Sequence, residues 1–218
     1  MRMKWIGLIL AASFSISAHA ADPALSNESF ESNNLASSYY GYLYSYVIPT
    51  LGPNAVAASN WSFAGGSGLS HDATAWGGTT PEGDHFAFLQ NAGGVISQSF
   101  SSSSIADYTF SFNLVQRTNH RIGGLQTLSV NLDGNTIWSG TPGTSWQTFS
   151  ASLQNVGAGL HTLSFVGTNL NRAADTSVFV DNVKMSVTPV PEPETWAMLL
   201  AGLGLMGGVA RRRKAARG

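Results

Sequence analysis

Asp181 stands in the segment TSVFVDNVKMSV, where Phe179, Val183, Met185 and Val187 share its parity. Alternate residues of a strand share a face, so this carboxylate is aimed at an apolar surface. A bare carboxylate there is costly unless it is paired or coordinated, which makes Asp181 a candidate metal ligand. A bulge that turns it outward, or hydrogen bonds from neighbouring N–H groups, would meet the same demand. The second candidate set is aromatic. Tyr40, Tyr42, Tyr44 and Tyr46 alternate through YYGYLYSY, so an extended segment would point all four rings one way. Trp61, Trp76, Trp138 and Trp146 fall at strand edges or turns. Exposed rings beside hydroxyl-rich neighbours hold the C–H faces of sugars, while core packing is the ordinary fate of a large aromatic. The Tyr run with Trp61 and Trp76 is the candidate ligand surface.

Catalytic signals are weak. The chain has no G-x-S-x-G elbow and no H-E-x-x-H pair. His71 and Asp72, with Glu82, Asp84 and His85, share one turn-rich stretch, and such a cluster reads first as solvated surface. His161 has the parity of Leu163 and Phe165 and reads as a satisfied core histidine. Arg117, Asn119, His120 and Arg121 form a polar loop after a long strand, where they would border a concave face. No catalytic residue is assigned, and a non-enzymatic protein is expected.

The elements that must position these groups are strands. In YTFSFNLV, Tyr108, Phe110, Phe112 and Leu114 alternate with Thr109, Ser111 and Asn113, and QTLSVNL repeats the pattern before an Asp133-Gly134 hairpin into NTIWSG. HFAFLQ, GVISQSF, WQTFSASL, LHTLSFVG and TSVFVDNVKMSV supply further strands, separated by AGGSG, SSSS, TPGTS and NVGAG. About eight to ten short strands predict an all-β, two-sheet antiparallel sandwich of the jelly-roll kind over residues 21–188.

Composition narrows the function. Charged residues make up 11% of 218, with 24 Gly and no Cys, which excludes a disulfide framework and a thiolate metal site. Basic residues cluster at the two ends, and only Arg117, Arg121, Arg172 and Lys184 lie between residues 21 and 188. A nucleic-acid binder needs a basic footprint in its folded part, so nucleic acid is not an expected partner.

The ends read as addresses. Arg2 and Lys4, an apolar run from Trp5 to Ile16 and Ala18-His19-Ala20 make residues 1–20 a cleavable signal peptide, implying the Sec translocon and signal peptidase as partners. At the other end, Thr195 to Ala210 is sixteen residues without charge, about 24 Å as a helix and near the lower limit for crossing hydrocarbon. Arg211, Arg212, Arg213 and Lys214 follow as a basic stop whose heads can snorkel and should stay cytoplasmic. A single C-terminal transmembrane helix at about 195–210 is expected, with the passenger on the far side of the membrane.

Val190-Pro191-Glu192-Pro193, a nearby Trp, the Leu/Gly/Ala span and the terminal arginines resemble the PEP-CTERM sorting signal of Gram-negative bacteria, over residues 189–218. The resemblance implies an exosortase as processing partner. It also implies transient anchoring in the inner membrane, then release to the cell surface or the extracellular polysaccharide matrix. The passenger, in the order NESFES, WSFAGGSGL, HFAFLQNAGGVISQSF, YTFSFNL, LSVNLDG, HTLSF and VFVDNV, resembles the galactose-binding-like jelly rolls that include many carbohydrate-binding modules. That second resemblance implies a structural Ca²⁺ where first and last strands meet, with Glu31 and Asp181 as ligands, backbone carbonyls and Asn27 completing the shell. Sugar binding is the expected role. A structural or adhesive surface protein without a sugar site is the alternative, and a polysaccharide-active hydrolase stands behind both.

Overall fold

The computed structural model describes residues 23–32, 42–44, 60–74, 77–119, 124–169, 176–190 and 193–215. In chain order the strands are β1 (Tyr42–Tyr44), β2 (Ser62–Ala64), β3 (Ser67–His71), β4 (His85–Gln90), β5 (Val95–Ser102) and β6 (Ala106–Gln116). They continue with β7 (Leu128–Leu132), β8 (Asn135–Gly140), β9 (Gln147–Val156), β10 (Gly159–Gly167) and β11 (Ser177–Pro189), and the chain closes with helix α1 (Pro193–Ala215). A six-stranded sheet has the order β1-β3-β4-β11-β6-β9, and a five-stranded sheet has the order β2-β5-β10-β7-β8. Every pairing is antiparallel. Only β3–β4 and β7–β8 stay within one sheet; each other consecutive pair changes sheet, as a jelly roll does.

Alternation fills the space between the sheets. Tyr108, Phe110, Phe112 and Leu114 of β6 meet Leu163 and Phe165 of β10 and Leu128, Val130 and Leu132 of β7, all buried. Each large apolar side chain buried this way contributes roughly 1.5–3 kcal/mol. The Asp133-Gly134 hairpin forms as its residues require, with φ of 51° and 81°, left-handed values that Gly and Asp tolerate.

Two expectations are corrected. The three short strands β1 to β3 lie in stretches read as aromatic ladder and turn, since three to five residues give too short a window for a period. On β11 the shared parity fails: the register against β6 shifts between Asp181 and Lys184, and Asn182 has φ 50°. The inserted residue turns Val183, with Met185 and Val187, toward the main core beside Val178 and Val180, while Phe179 packs in a separate cluster with Phe86, Phe88 and Val115. Asp181 therefore does not share the face of Val183.

Helix α1 begins at a proline, which fits the first turn because its missing N–H would be unbonded there anyway. It runs past the expected 195–210 through the arginines. No described helix is long and apolar enough to cross a membrane. Gly202, Gly204, Gly207, Gly208 and three alanines supply little apolar surface in a run already short of the hydrocarbon thickness. The expected transmembrane helix is thus present as a helix, and bilayer crossing does not follow from its own hydropathy.

Candidate functional site

Two places bring functional side chains together. The first forms where β4 leaves β11. The β4–β11 ladder ends at the Val180–Ala87 pair, and beyond it the Val183 N–H donates to the Glu28 carbonyl at 2.9 Å, so the turn around residues 26–32 replaces a strand. Asp181 lies in that junction, fully buried. Its Oδ1 accepts from the Asn182 N–H at 2.6 Å, and its Oδ2 has no partner in good hydrogen-bond geometry. Burial pushes its pKa from an ordinary 3.8 up to about 8; the Asn182 and, more weakly, the Glu82 backbone N–H groups oppose the rise, and the Glu31 and Glu82 carboxylates add to it. Glu28 is also raised, chiefly by burial, with Lys184 opposing.

Beside it the Glu31 carboxylate bridges to the far side of the junction. Oε1 accepts from the N–H groups of Asp84 at 3.0 Å and His85 at 2.8 Å, and Oε2 meets His85 Nδ1 at 2.9 Å. Asp84 Oδ1 reaches the same nitrogen at 2.6 Å. One ligand atom from each of Glu31, Asp84 and His85 falls within 4.8 Å of the others. Gly83 has φ 67°, and a Cβ on it would stand 2.2 Å from the Glu31 carboxyl carbon, so only glycine leaves that carboxylate its place. The cluster that could hold a cation is therefore Glu31 with Asp84 and His85; Asp181 is not among its members, and both Glu31 oxygens are already engaged by Asp84 and His85. Asn27 does not join it. Its Oδ1 accepts from the Ser32 N–H, and its carbonyl accepts from Phe30 N–H and Trp61 Nε1–H.

The second place is a groove of about 310 Å³ on the outer face of the six-stranded sheet. Phe179 and Val115 form its floor, Trp146 one wall, and Gly78, Thr79, Gln116, Thr118, Thr144 and Ser145 the rest. The Trp146 indole N–H donates to the Thr79 carbonyl, which fixes the ring at the groove's side. Phe86 packs against Phe179 with the rings tilted and their centroids 4.4 Å apart, and Tyr42 and Trp146 both pack on this cluster. Among the described residues, no charged side chain lines the groove.

The aromatic candidates divide accordingly. Tyr42 lies on the groove's sheet face, and Leu43 beside it points into the core. Tyr40, Tyr46 and Trp76 lie outside the described residues, as do His120 and Arg121, and Tyr44 is placed only as part of β1. Trp61 is corrected: it is 1% exposed, 5.2 Å from Phe30 and 6.3 Å from Phe165, and is a core residue. Trp138 packs against the same core on Phe112. His161 bonds Asp133 Oδ2 at 2.7 Å and the Gly157 carbonyl at 2.9 Å. His71 and His85 stand 6.1 Å apart, so the histidines of the turn-rich stretch do converge. The concave face expected beside the loop after the long strand is matched by this groove at Gln116 and Thr118, but its Trp146 side was not foreseen. The cluster beneath it was signalled by FAFL in β4, an apolar run without alternation, which marks a strand buried on both faces.

The tail joins this body without a spacer. β11 extends to Pro189, opposite Ala106, and the Val190 N–H donates to the Ile105 carbonyl at 3.1 Å. Pro191 and Glu192 lie outside the described residues, α1 starts at Pro193, and Arg211, Arg212 and Arg213 are exposed. Residues 189–214 match the family model described as the PEP-CTERM protein-sorting motif. The tail is a PEP-CTERM sorting motif. That motif implies processing by an exosortase, and it accounts for the Val190-Pro191-Glu192-Pro193 segment and the Arg211 to Lys214 stop together.

No curated protein matches the chain significantly. Among solved structures, the chain is similar to TmCBM61 in complex with β-1,4-galactotriose, at 12% identity over 75% of this chain and 97% of that one, TM-score 0.46. It is also similar to the CBM22-1 xylan-binding domain from Paenibacillus barcinonensis Xyn10C, at 10% identity, 61% and 88% coverage and TM-score 0.45. A family 35 carbohydrate binding module from Clostridium thermocellum follows, at 18% identity, 57% and 90% coverage and TM-score 0.40. The fold of the PEP-CTERM passenger rests on its own strand pairing.

Proposed function

We propose that this chain is an exported, non-catalytic protein that an exosortase processes at its PEP-CTERM motif, and whose sandwich then binds a neutral polysaccharide of the cell surface or extracellular matrix. The signal-like residues 1–20 carry it through the Sec translocon to signal peptidase. The α1 segment anchors it transiently in the inner membrane of a Gram-negative cell, with the arginines snorkelling to offset its short apolar run. The observation that supports binding is the groove beside Trp146: an immobilised indole ring, an apolar floor of Phe179 and Val115, and hydroxyls of Thr79, Thr118, Thr144 and Ser145 at its sides. A pyranose offers apolar C–H faces and equatorial hydroxyls, which this arrangement matches. The lining is uncharged among the described residues, which favours neutral sugars, because an anionic one would lose hydration without a cation to meet it.

The Asp181 junction supports a structural role in the same reading. Glu31 and Asp181 would hold a Ca²⁺ ion with nearby backbone carbonyls. When bound, the ion would cancel the like charges and tie the residue 26–32 turn to β11. The test of the function is a glycan array with the folded protein and its Trp146→Ala variant. Binding of neutral polymers that drops tenfold or more in the variant is expected, in line with the loss of one stacking ring. Equal binding by both forms would remove the groove. The sorting half has its own test: Pro191→Ala with Pro193→Ala should leave the chain in the inner membrane, and normal release would overturn it.

A further inference from the structure

The four sheet edges of the sandwich are unequally protected. β1 and β2, at one side, have three residues each, and very short strands are a common way to blunt an edge. On the other side lie β8, six residues long at the margin of the five-stranded sheet, and β9, ten residues long at the margin of the six-stranded sheet and the longest of the four edges among the described residues. The sequence of β9, QTFSASLQNV, has no charged residue and no proline, so two usual guards against edge pairing are missing. The one irregularity is at its end, where Asn155 has φ 55° and gives its N–H to Asp107. Residues Gln147 to Leu153 run in regular register with β6 and leave their other backbone edge outward.

That edge matches itself. When β9 is laid antiparallel on a second β9 with Ala151 opposite Ala151, Phe149 falls opposite Leu153, Ser150 opposite Ser152 and Thr148 opposite Gln154. Phe149 and Leu153 are half-buried members of the core rim, and Thr148, Ser150, Ser152 and Gln154 are exposed. Apolar therefore meets apolar on one face and polar meets polar on the other, with no like charges opposed. A shift by one residue would bring Phe149 against Ser152 and lose both matches.

We propose that β9 is a self-association edge, through which two copies of this chain pair antiparallel about a two-fold axis at Ala151 and fuse their six-stranded sheets into one. A two-fold interface is self-complementary by construction, which is what the sequence of β9 provides. The axis stands perpendicular to the sheet, so both Trp146 grooves open on the same face. That consequence rests on the glycan reading; the pairing does not. Two grooves on one rigid face would raise the apparent affinity for a long polymer on the order of 10²-fold over that for a short oligomer.

The experiment uses the full chain in detergent, which has no cysteine of its own. Light scattering over a concentration series should give twice the protomer mass for the native chain and one protomer for Ser150→Lys with Ser152→Lys, whose changes are on exposed positions. Mixing Ser150→Cys chains with Ser152→Cys chains should give several-fold more crosslinked dimer than either alone, because residue 150 faces residue 152. A native chain that stays monomeric overturns the proposal, as does a dimer that survives the lysines. Homotypic crosslinks as abundant as mixed ones overturn the register. A native chain that is monomeric yet still binds glycan would overturn the dimer alone and leave the groove standing.

Discussion

Replacing Asp181 by Asn tests whether the junction is built around a charge that only a cation can settle. In chelator, the folded protein holds the Asp181 proton up to about pH 8, whereas the unfolded chain releases it near 3.8. Between those values the folded state binds more protons, so stability falls as pH rises through that window and is highest at its acid end. A displacement of about four units is worth at most roughly 5–6 kcal/mol, at about 1.4 kcal/mol per unit. Structural relaxation and water entry reduce that ceiling, and about 2–3 kcal/mol is the expected loss. For a domain of this size it corresponds to on the order of 5–10 °C in Tm. The amide of Asp181→Asn carries no charge, so the variant should lose this slope and melt above the native chain at pH 8 in chelator.

Calcium should reverse the order. At a hundredfold excess over its dissociation constant, a bound ion adds about 2.7 kcal/mol to the native protein and little to the variant. Thermal melts of both proteins at pH 5, 6.5 and 8, in chelator and in millimolar Ca²⁺, read all the terms together. A native melt no steeper in pH than that of Asp181→Asn, or a variant less stable than the native chain at pH 8 in chelator, would refute the reasoning.

Three further outcomes are expected. Gly83→Ala should cost about 1–3 kcal/mol through its left-handed backbone and should reduce the Ca²⁺-induced rise in Tm, since the new Cβ displaces the Glu31 carboxylate. Trp61→Ala should lower stability by about 3–5 kcal/mol in urea denaturation while Trp146→Ala, on a half-exposed ring, costs much less; comparable losses would contradict their different burial. Inserting Gly-Ser-Gly-Ser after Thr188 should speed tail removal on the order of tenfold in pulse–chase. Pro189 and Val190 are held along β6 by about two bonds, at ~1 kcal/mol each, that a protease must first open, and an unchanged rate would show that the strand end is already free.

Strand identity was legible both in alternating runs and in short apolar runs. NTIWSG and HFAFLQ were bounded to the residue, and Tyr108, Phe110, Phe112 and Leu114 all point inward as their period requires. Asp181 was legible as a carboxylate out of water, but not by the route its neighbours suggested. Parity assigns faces only while the ladder is regular, and one extra residue on β11 reverses every assignment beyond it. The groove as a whole was illegible for a different reason. Its parts come from the turn before β4, the end of β6, the start of β9 and the start of β11, and only the sheet order makes them neighbours. Trp61 shows the converse: a turn-flanked Trp reads as exposed, yet the Ser26–Ser32 turn folds over it and takes its indole N–H.

Much of the molecule's organisation converges on β11. It lies between β4 and β6, so the six-stranded sheet is two unjoined pieces until it docks. Its alternating side chains then serve both sides at once: Val178, Val180 and Val183 enter the core, Phe179 floors the groove, and Asp181 closes the junction with the Glu31 turn. It is the last strand of the chain, and the sorting motif begins at its final residue. On the proposed export route, β11 would reach the far side of the membrane only as the PEP-CTERM segment arrives behind it. The sandwich would then complete its sheet while still tethered, and a protease needing Pro189 and Val190 extended would compete with β6 for the same residues. Folding and release would then be coupled through one ladder: a stable β6–β11 pairing favours a folded passenger and slows its detachment, and a weak one does the reverse.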